Sequence, residues 1–123
     1  MFAMSIAAKL QLRPGATVAV LGIPEGLALE LPEDTRSIAE PASADAVIAF
    51  AIDSAALDTV AASAITAASE NRLAWIAYPK AGKLGTDLNR DILARLAQER
   101  GARPVRQVAI NETWSAMRFR PAV

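Results

Sequence analysis

The sequence predicts a single α/β domain: a mostly parallel, doubly wound sheet with flanking helices and an antiparallel strand pair at its C-terminal end. Three observations carry this. Thr17-Val18-Ala19-Val20-Leu21, Asp45-Ala46-Val47-Ile48-Ala49-Phe50-Ala51 and Leu73-Ala74-Trp75-Ile76-Ala77 are short, continuously apolar runs. Such runs suit strands buried on both faces, as in a parallel sheet covered by helices. Segments with helical apolar spacing alternate with them, giving the order β-α-β-α-β-α-β-β. At 123 residues the chain can bury one core but not two.

Element by element, Ser5 caps a short helix to about Leu12, with Ile6, Ala7 and Leu10 on its apolar side. Arg13-Pro14-Gly15 is a turn, since Pro presets φ and Gly tolerates positive φ. After the first strand, Gly22-Ile23-Pro24-Glu25-Gly26 opens a short helix from Glu25 to about Leu31, stopped by Pro32. Arg36-Ser37-Ile38-Ala39 is a short strand. Residues 41–44 are too few for an ordinary parallel crossover and are expected to run extended across the bottom of the sheet. After the second strand, Ser54 caps a helix to about Ser69 that turns Leu57, Val60, Ala61, Ala64 and Ala68 to the sheet and stops at Asn71.

The third strand leads into a turn-rich loop, residues 78–85. Thr86 then caps a helix to about Arg100, with Leu88, Ile92, Leu93 and Leu96 inward and Gly101 as its stop. Asp87 complements the helix's positive end, and Arg95 and Arg100 its negative end. Residues 105–110 and 115–120 read as two strands at a sheet edge. In the second, Met117 and Phe119 alternate with Arg118 and Arg120.

Composition removes several chemistries. Thirteen basic and thirteen acidic residues cancel, so no general field draws nucleic acid or an anionic membrane, and neither partner is expected. Cysteine and histidine are both absent. A Ser-His-Asp triad, a Cys-His dyad and an ordinary zinc site are therefore excluded. No apolar run approaches the roughly 18–20 residues of a membrane span. The first residues lack the basic region and apolar stretch of a signal peptide, so the expected location is the cytoplasm.

The segment Lys9-Leu10-Gln11-Leu12-Arg13-Pro14-Gly15-Ala16-Thr17-Val18-Ala19-Val20-Leu21-Gly22 resembles the entry of Rossmann-type, S-adenosylmethionine-dependent methyltransferases. The 45–50 strand is similar to that family's fourth strand. The 73–77 strand, the helix after it and the terminal strand pair are similar to its C-terminal half. The whole chain also resembles a small uncharacterised bacterial family built on this scaffold. That likeness rests on Trp75-Ile76-Ala77-Tyr78-Pro79-Lys80, Thr86-Asp87-Leu88-Asn89-Arg90-Asp91 and Glu112-Thr113-Trp114-Ser115-Ala116-Met117-Arg118-Phe119. The resemblance implies a three-layer, Rossmann-like, truncated methyltransferase-like fold, and no established activity.

The departures bear on the cofactor. In the methyltransferases a G-x-G-x-G loop lets the backbone approach S-adenosylmethionine closely. Here Pro24 replaces the middle glycine and Glu25 places an anion where the methionine carboxylate would lie. Glu40 is the one candidate for the family's ribose-binding acid, behind a weak strand. Together these features predict that S-adenosylmethionine is not bound and that no cofactor is held.

Ligands of open α/β sheets bind beyond the carboxyl ends of the strands. The candidate site therefore comprises Gly22, Pro24, Glu25 and Gly26, then Asp53 and Ser54, then Tyr78, Lys80, Lys83, Thr86, Asp87 and Arg90. Lys80 and Lys83, on a glycine-containing loop before a helix start, suit a phosphate or carboxylate. The competing reading is a solvated loop whose glycines serve only the turn. Glu25, Asp53 and Asp87 could hold Mg²⁺ if they converge, against local work in capping and dipole compensation. Trp114 with Arg118 and Arg120 could form a stacking and cationic platform, against simple packing at a corner.

The leading expectation is a non-catalytic binding or regulatory domain that holds an anionic small molecule or a protein partner at the carboxyl edge. One alternative is a small transferase acting on an anionic or nucleotide-like substrate, with Lys80 and Lys83 stabilising charge and Asp53 or Glu25 as base. Another is a structural homodimer, joined through the terminal edge strand or the alanine-rich helix.

Overall fold

A computed structural model describes residues 6–122 of the chain. The expected cap at Ser5 lies outside the described residues. Six strands form one mixed sheet: β1 (Thr17–Leu21), β2 (Arg36–Ser37), β3 (Ala46–Phe50), β4 (Leu73–Pro79), β5 (Ala102–Ala109) and β6 (Trp114–Pro121). Their spatial order is β2-β1-β3-β4-β6-β5. The pairs among β2, β1, β3 and β4 are parallel, and β6 joins β4 and β5 antiparallel. Three α-helices complete the fold: α1 (Ile6–Lys9), α2 (Ala62–Ser69) and α3 (Arg90–Glu99).

Strand alternation divides the core in two. One face carries Ala19, Val47, Ala49, Ala74, Ile76, Tyr78, Met117 and Phe119, packed under α2 and α3. Small alanines on strand and helix alike let α2 lie close to the sheet. The other face carries Val18, Ile48, Phe50, Trp75, Ala77, Trp114 and Ala116. Among the described residues its cover is α1, followed by Leu10 and Leu12, and the connection from β1 to β2. Trp75, fully buried, donates its indole N–H to the Leu10 carbonyl at 2.8 Å and so fastens the end of α1 to the central strand.

The β1–β2 connection corrects the expected helix from Glu25 to Leu31. It forms only a turn at Pro24, whose carbonyl accepts from Leu27 N–H at 3.2 Å. Leu27, Leu29 and Leu31 are half-buried while Ala28 and Glu30 are exposed. That is a period of two, so the leucines face the sheet from an extended chain. With Pro at 24 and 32 and Gly at 22 and 26, a helix had no uninterrupted stretch to nucleate in.

The expected helix from Ser54 is divided. Residues Ser54–Asp58 form a 3₁₀ turn whose cap is Asp53, not Ser54, and the α-helix begins at Ala62. Thr59 between them has φ −115° and ψ −82°, outside helical geometry, and its hydroxyl donates to the Ala56 carbonyl at 3.2 Å. Thr86 is likewise not the cap of the last helix. Asn89 is, accepting from Ile92 N–H at 2.9 Å. Asn71 takes a left-handed φ of 58° after α2, as its position suggests.

Residues 41–44 do not run extended. Pro41–Ser43 form a 3₁₀ turn, and Arg72 donates from Nη1 to the Pro41 and Ala44 carbonyls at 2.9 and 2.7 Å. The outermost strand of the terminal pair is β5, and β6 is interior. Arg118 and Arg120 therefore do not guard an edge. Pro104, the bulge between it and Arg106, and Arg103 do that work. Among the described residues no helix is long and apolar enough to cross a membrane.

Candidate functional site

The loops after β1, β3 and β4 do meet beyond the strand ends, but most of the candidate residues there are occupied with one another. Gly22 has φ +68°, and a Cβ added to it would stand 2.8 Å from Val60 Cγ1 and 2.9 Å from the Phe50 carbonyl oxygen. Its close approach is used by the protein's own chain. Pro24, Glu25 and Gly26 continue into the surface turn, Glu25 and Gly26 exposed.

Asp53 accepts from Ala56 N–H at 3.1 Å. Ser54 donates its backbone N–H to Asp87 Oδ1 at 2.8 Å and its hydroxyl to Asp87 Oδ2 in a very short hydrogen bond. These two bonds hold the Asp87 carboxyl below its ordinary value, the Ser54 hydroxyl contributing most. Thr86 Oγ1 accepts from Leu88 N–H at 3.0 Å. Asp87 thus staples the loop after β3 to the segment before α3, instead of facing the helix dipole. Among the described residues no group of three acidic side chains gathers to hold a metal ion, so Glu25, Asp53 and Asp87 do not converge.

Three candidates do come together. Tyr78, Lys80 and Arg90 line a cleft of about 380 Å³ between the end of β4, the first turn of α3 and the β5–β6 pair. Its floor is the Tyr78 hydroxyl, which accepts from Gln107 Nε2 at 2.9 Å and is also hydrogen-bonded with Ser115. Burial raises the Tyr78 pKa, against the opposing pull of Arg90 and the Gln107 hydrogen bond, so the phenol is a neutral donor at physiological pH. At the rim, Arg90 Nε sits 3.5 Å from Asp91 Oδ1. Both side chains are largely exposed, so that pair is weak and an arriving anion can displace it.

Lys83 lies apart on an exposed 3₁₀ turn, Lys83–Gly85. Gln107, Ser115, Asn89 and Asp91 were missed by the sequence reading. The available signal was Ser115, a polar residue followed by Ala116 and Met117 in a buried run. Gln107 could not be placed without the register that sets it opposite Met117.

Trp114 is 5% exposed and packs edge-on against Phe50, ring centroids 5.4 Å apart at 73°. It is a core residue, not a stacking platform beside Arg118 and Arg120. The carboxyl-edge loops also expose Ile23, Ile52 and Leu84. A second concavity, about 600 Å³, opens at the opposite edge, near the amino ends of β1, β3 and β4. Comparisons with protein families, with curated proteins and with solved structures found no match to this chain.

Proposed function

We propose that the chain is a small, non-catalytic binding domain on a shortened methyltransferase-like scaffold, holding an anionic small molecule in the Tyr78 cleft. The observation that carries this is the pairing of two cations, Lys80 and Arg90, with a floor of neutral hydrogen-bonding groups at Tyr78, Gln107 and Ser115. The floor stands on strands, which fix donors more firmly than loops do. The anion would displace Asp91 from Arg90 and take charge-assisted hydrogen bonds from the rim.

The scaffold reading is supported by the parallel β1–β3–β4 core and by the terminal antiparallel pair beside β4, the arrangement the resemblance implies. Gly22 speaks against S-adenosylmethionine, because Val60 and the Phe50 carbonyl fill the space a cofactor would need. The transferase alternative loses its parts: Lys83, Asp53 and Glu25 do not line the cleft with Lys80, and Asp53 is spent on Ala56.

Calorimetric titration with citrate and with S-adenosylmethionine tests the reading. Citrate should bind, and the Lys80→Ala/Arg90→Ala double variant should lose that binding with its thermal midpoint nearly unchanged. Micromolar binding of S-adenosylmethionine, or citrate binding that the double variant retains, would overturn it.

A further inference from the structure

The 600 Å³ concavity at the amino ends of β1, β3 and β4 is walled by Gln11 and Arg13 from the α1–β1 turn, Asn71 before β4, and Arg118 from β6. Arg118 lies beside Trp75 in the sheet register, with Arg106 directly opposite on β5 and the Arg103–Arg120 pair two steps along the ladder, past the bulge and Pro104–Phe119. Like charges placed opposite each other repel. Arg118 Nη1 donates to Gln11 Oε1 at 2.7 Å, while its Nε is buried with no acceptor. Among the described residues, the ion pairs are Arg72–Glu70, Arg90–Asp91 and Arg100–Asp58. Arg13, Arg106, Arg118 and Arg120 are outside all of them.

The other charged groups on the wall are engaged elsewhere. Asp45 holds Thr17 through Oδ2, accepting from its N–H at 3.0 Å and its hydroxyl at 3.2 Å. Arg72 gives its guanidinium to Glu70 and to the Pro41 and Ala44 carbonyls. Burial first, then Arg120, Arg106 and Arg13, push the Arg118 guanidinium below its ordinary pKa. The fold has gathered cations around one buried, unsatisfied donor in a chain whose total charge is zero.

We propose that this concavity is a second site, independent of the Tyr78 cleft, for a small molecule carrying a phosphate group. A phosphate in the concavity would take charge-assisted hydrogen bonds from the guanidinium groups of Arg118 and Arg13 that line it, the chemistry that suits arginine to phosphate. It would also neutralise the repulsion among Arg13, Arg106 and Arg118. The volume falls within the range of small-molecule sites, and Leu12 and Leu73 on the wall offer apolar surface to the rest of the ligand. Concavity favours a compact ligand over a nucleic-acid backbone, which needs an extended track of cations.

The test is pyrophosphate titration of the full chain, by calorimetry and thermal shift, with ionic strength held constant by chloride. The chain should bind pyrophosphate, and Arg118→Gln should weaken binding about tenfold or more, the loss of a charge-assisted contact. Arg118→Gln should keep its thermal midpoint without ligand, since removing one like charge offsets the lost Gln11 contact. Should that variant fold poorly, Arg13→Gln, at an exposed turn, should still weaken binding severalfold. Arg95→Gln on α3 should bind pyrophosphate as the parent does, and in the Lys80→Ala/Arg90→Ala background the binding that remains should be the part that Arg118→Gln removes.

Three results would overturn the proposal. One is no response beyond that to matched chloride. Another is undiminished binding in both Arg118→Gln and Arg13→Gln, including the case where Lys80→Ala/Arg90→Ala abolishes it and assigns the ligand to the carboxyl edge. The third is binding of a single-stranded oligonucleotide with pyrophosphate ignored.

Discussion

The two edges of the sheet are built on opposite plans. At the carboxyl edge the polar groups are paired off within the protein: Asp87 with Ser54, Asp53 with Ala56, Asn89 with Ile92, and Gly22 closed against Val60. One cleft is left open, where β4 meets α3 and the terminal pair. At the amino edge the turn from α1 and the ends of β3, β4 and β6 stand apart, and Arg13 and Arg118, which form no ion pair among the described residues, line the gap beside Asp45 and Arg72. Chemistry-bearing residues on loops are therefore a poor guide when the loops can bond to each other. Residues held on neighbouring strands cannot relieve their conflicts that way, and those conflicts mark a site more directly.

The closure of the carboxyl edge is most sharply tested at Gly22. Alanine there would adopt a left-handed φ of +68° and press its Cβ to 2.8 Å from Val60 Cγ1 and 2.9 Å from the Phe50 carbonyl oxygen. Backbone strain and overpacking together should cost about 2–4 kcal/mol, a fall of roughly 10 °C in Tm. Adding Val60→Ala should recover part of that loss, because it removes one clash and leaves the other and the strained φ. If Val60→Ala recovers nothing, the approach of these loops is not what the glycine serves, and space for a ligand reopens there.

How much of this was readable in advance depended on whether the deciding contact was local. The buried strands β1, β3 and β4 were readable because continuous apolar runs leave few alternatives. The stops at Asn71 and Gly101 were readable because left-handed backbone selects those residues. The stretch 25–31 was misread as helix since its leucines at 27, 29 and 31 declare a period of two only once the prolines are weighed. Tyr78, Lys80 and Arg90 were named, but Gln107 and Ser115 enter the site through the β4–β6–β5 register, a contact across about thirty residues of chain. The arginine cluster was hidden for the same reason. Arg13, Arg106 and Arg118 are distant in sequence and meet only because β6 is inserted beside β4.

The amino edge has its own tie, and breaking it should cost less. Arg72 anchors the 3₁₀ turn before β3 through the Pro41 and Ala44 carbonyls, with its side chain 21% exposed. Arg72→Met keeps the stem packing and removes both bonds, for a loss of about 1–3 kcal/mol measured by denaturant titration. Glu70→Gln should cost less than about 0.5 kcal/mol, because that carboxylate is 55% exposed and its ion pair is screened. Equal losses from the two variants would mean that the pair, and not the carbonyl anchor, holds the amino edge.

The smallest effect belongs to the Asp87–Ser54 staple, and pH separates it from the rest. The Asp87 pKa is lowered in the fold by the Ser54 hydroxyl and then the Ser54 N–H. A carboxylate with a depressed folded pKa contributes stability above its unfolded pKa and loses it as pH falls through the folded one. The parent chain should therefore exceed Asp87→Asn in Tm at neutral pH, and the gap should shrink once pH drops below the ordinary carboxylate value. Ser54→Ala should reproduce most of that behaviour, since it removes the larger cause while the backbone N–H remains. A gap that stays constant into acid would show that Asp87 acts there through shape and not through charge. The carboxyl edge would then be closed by packing at Gly22 alone.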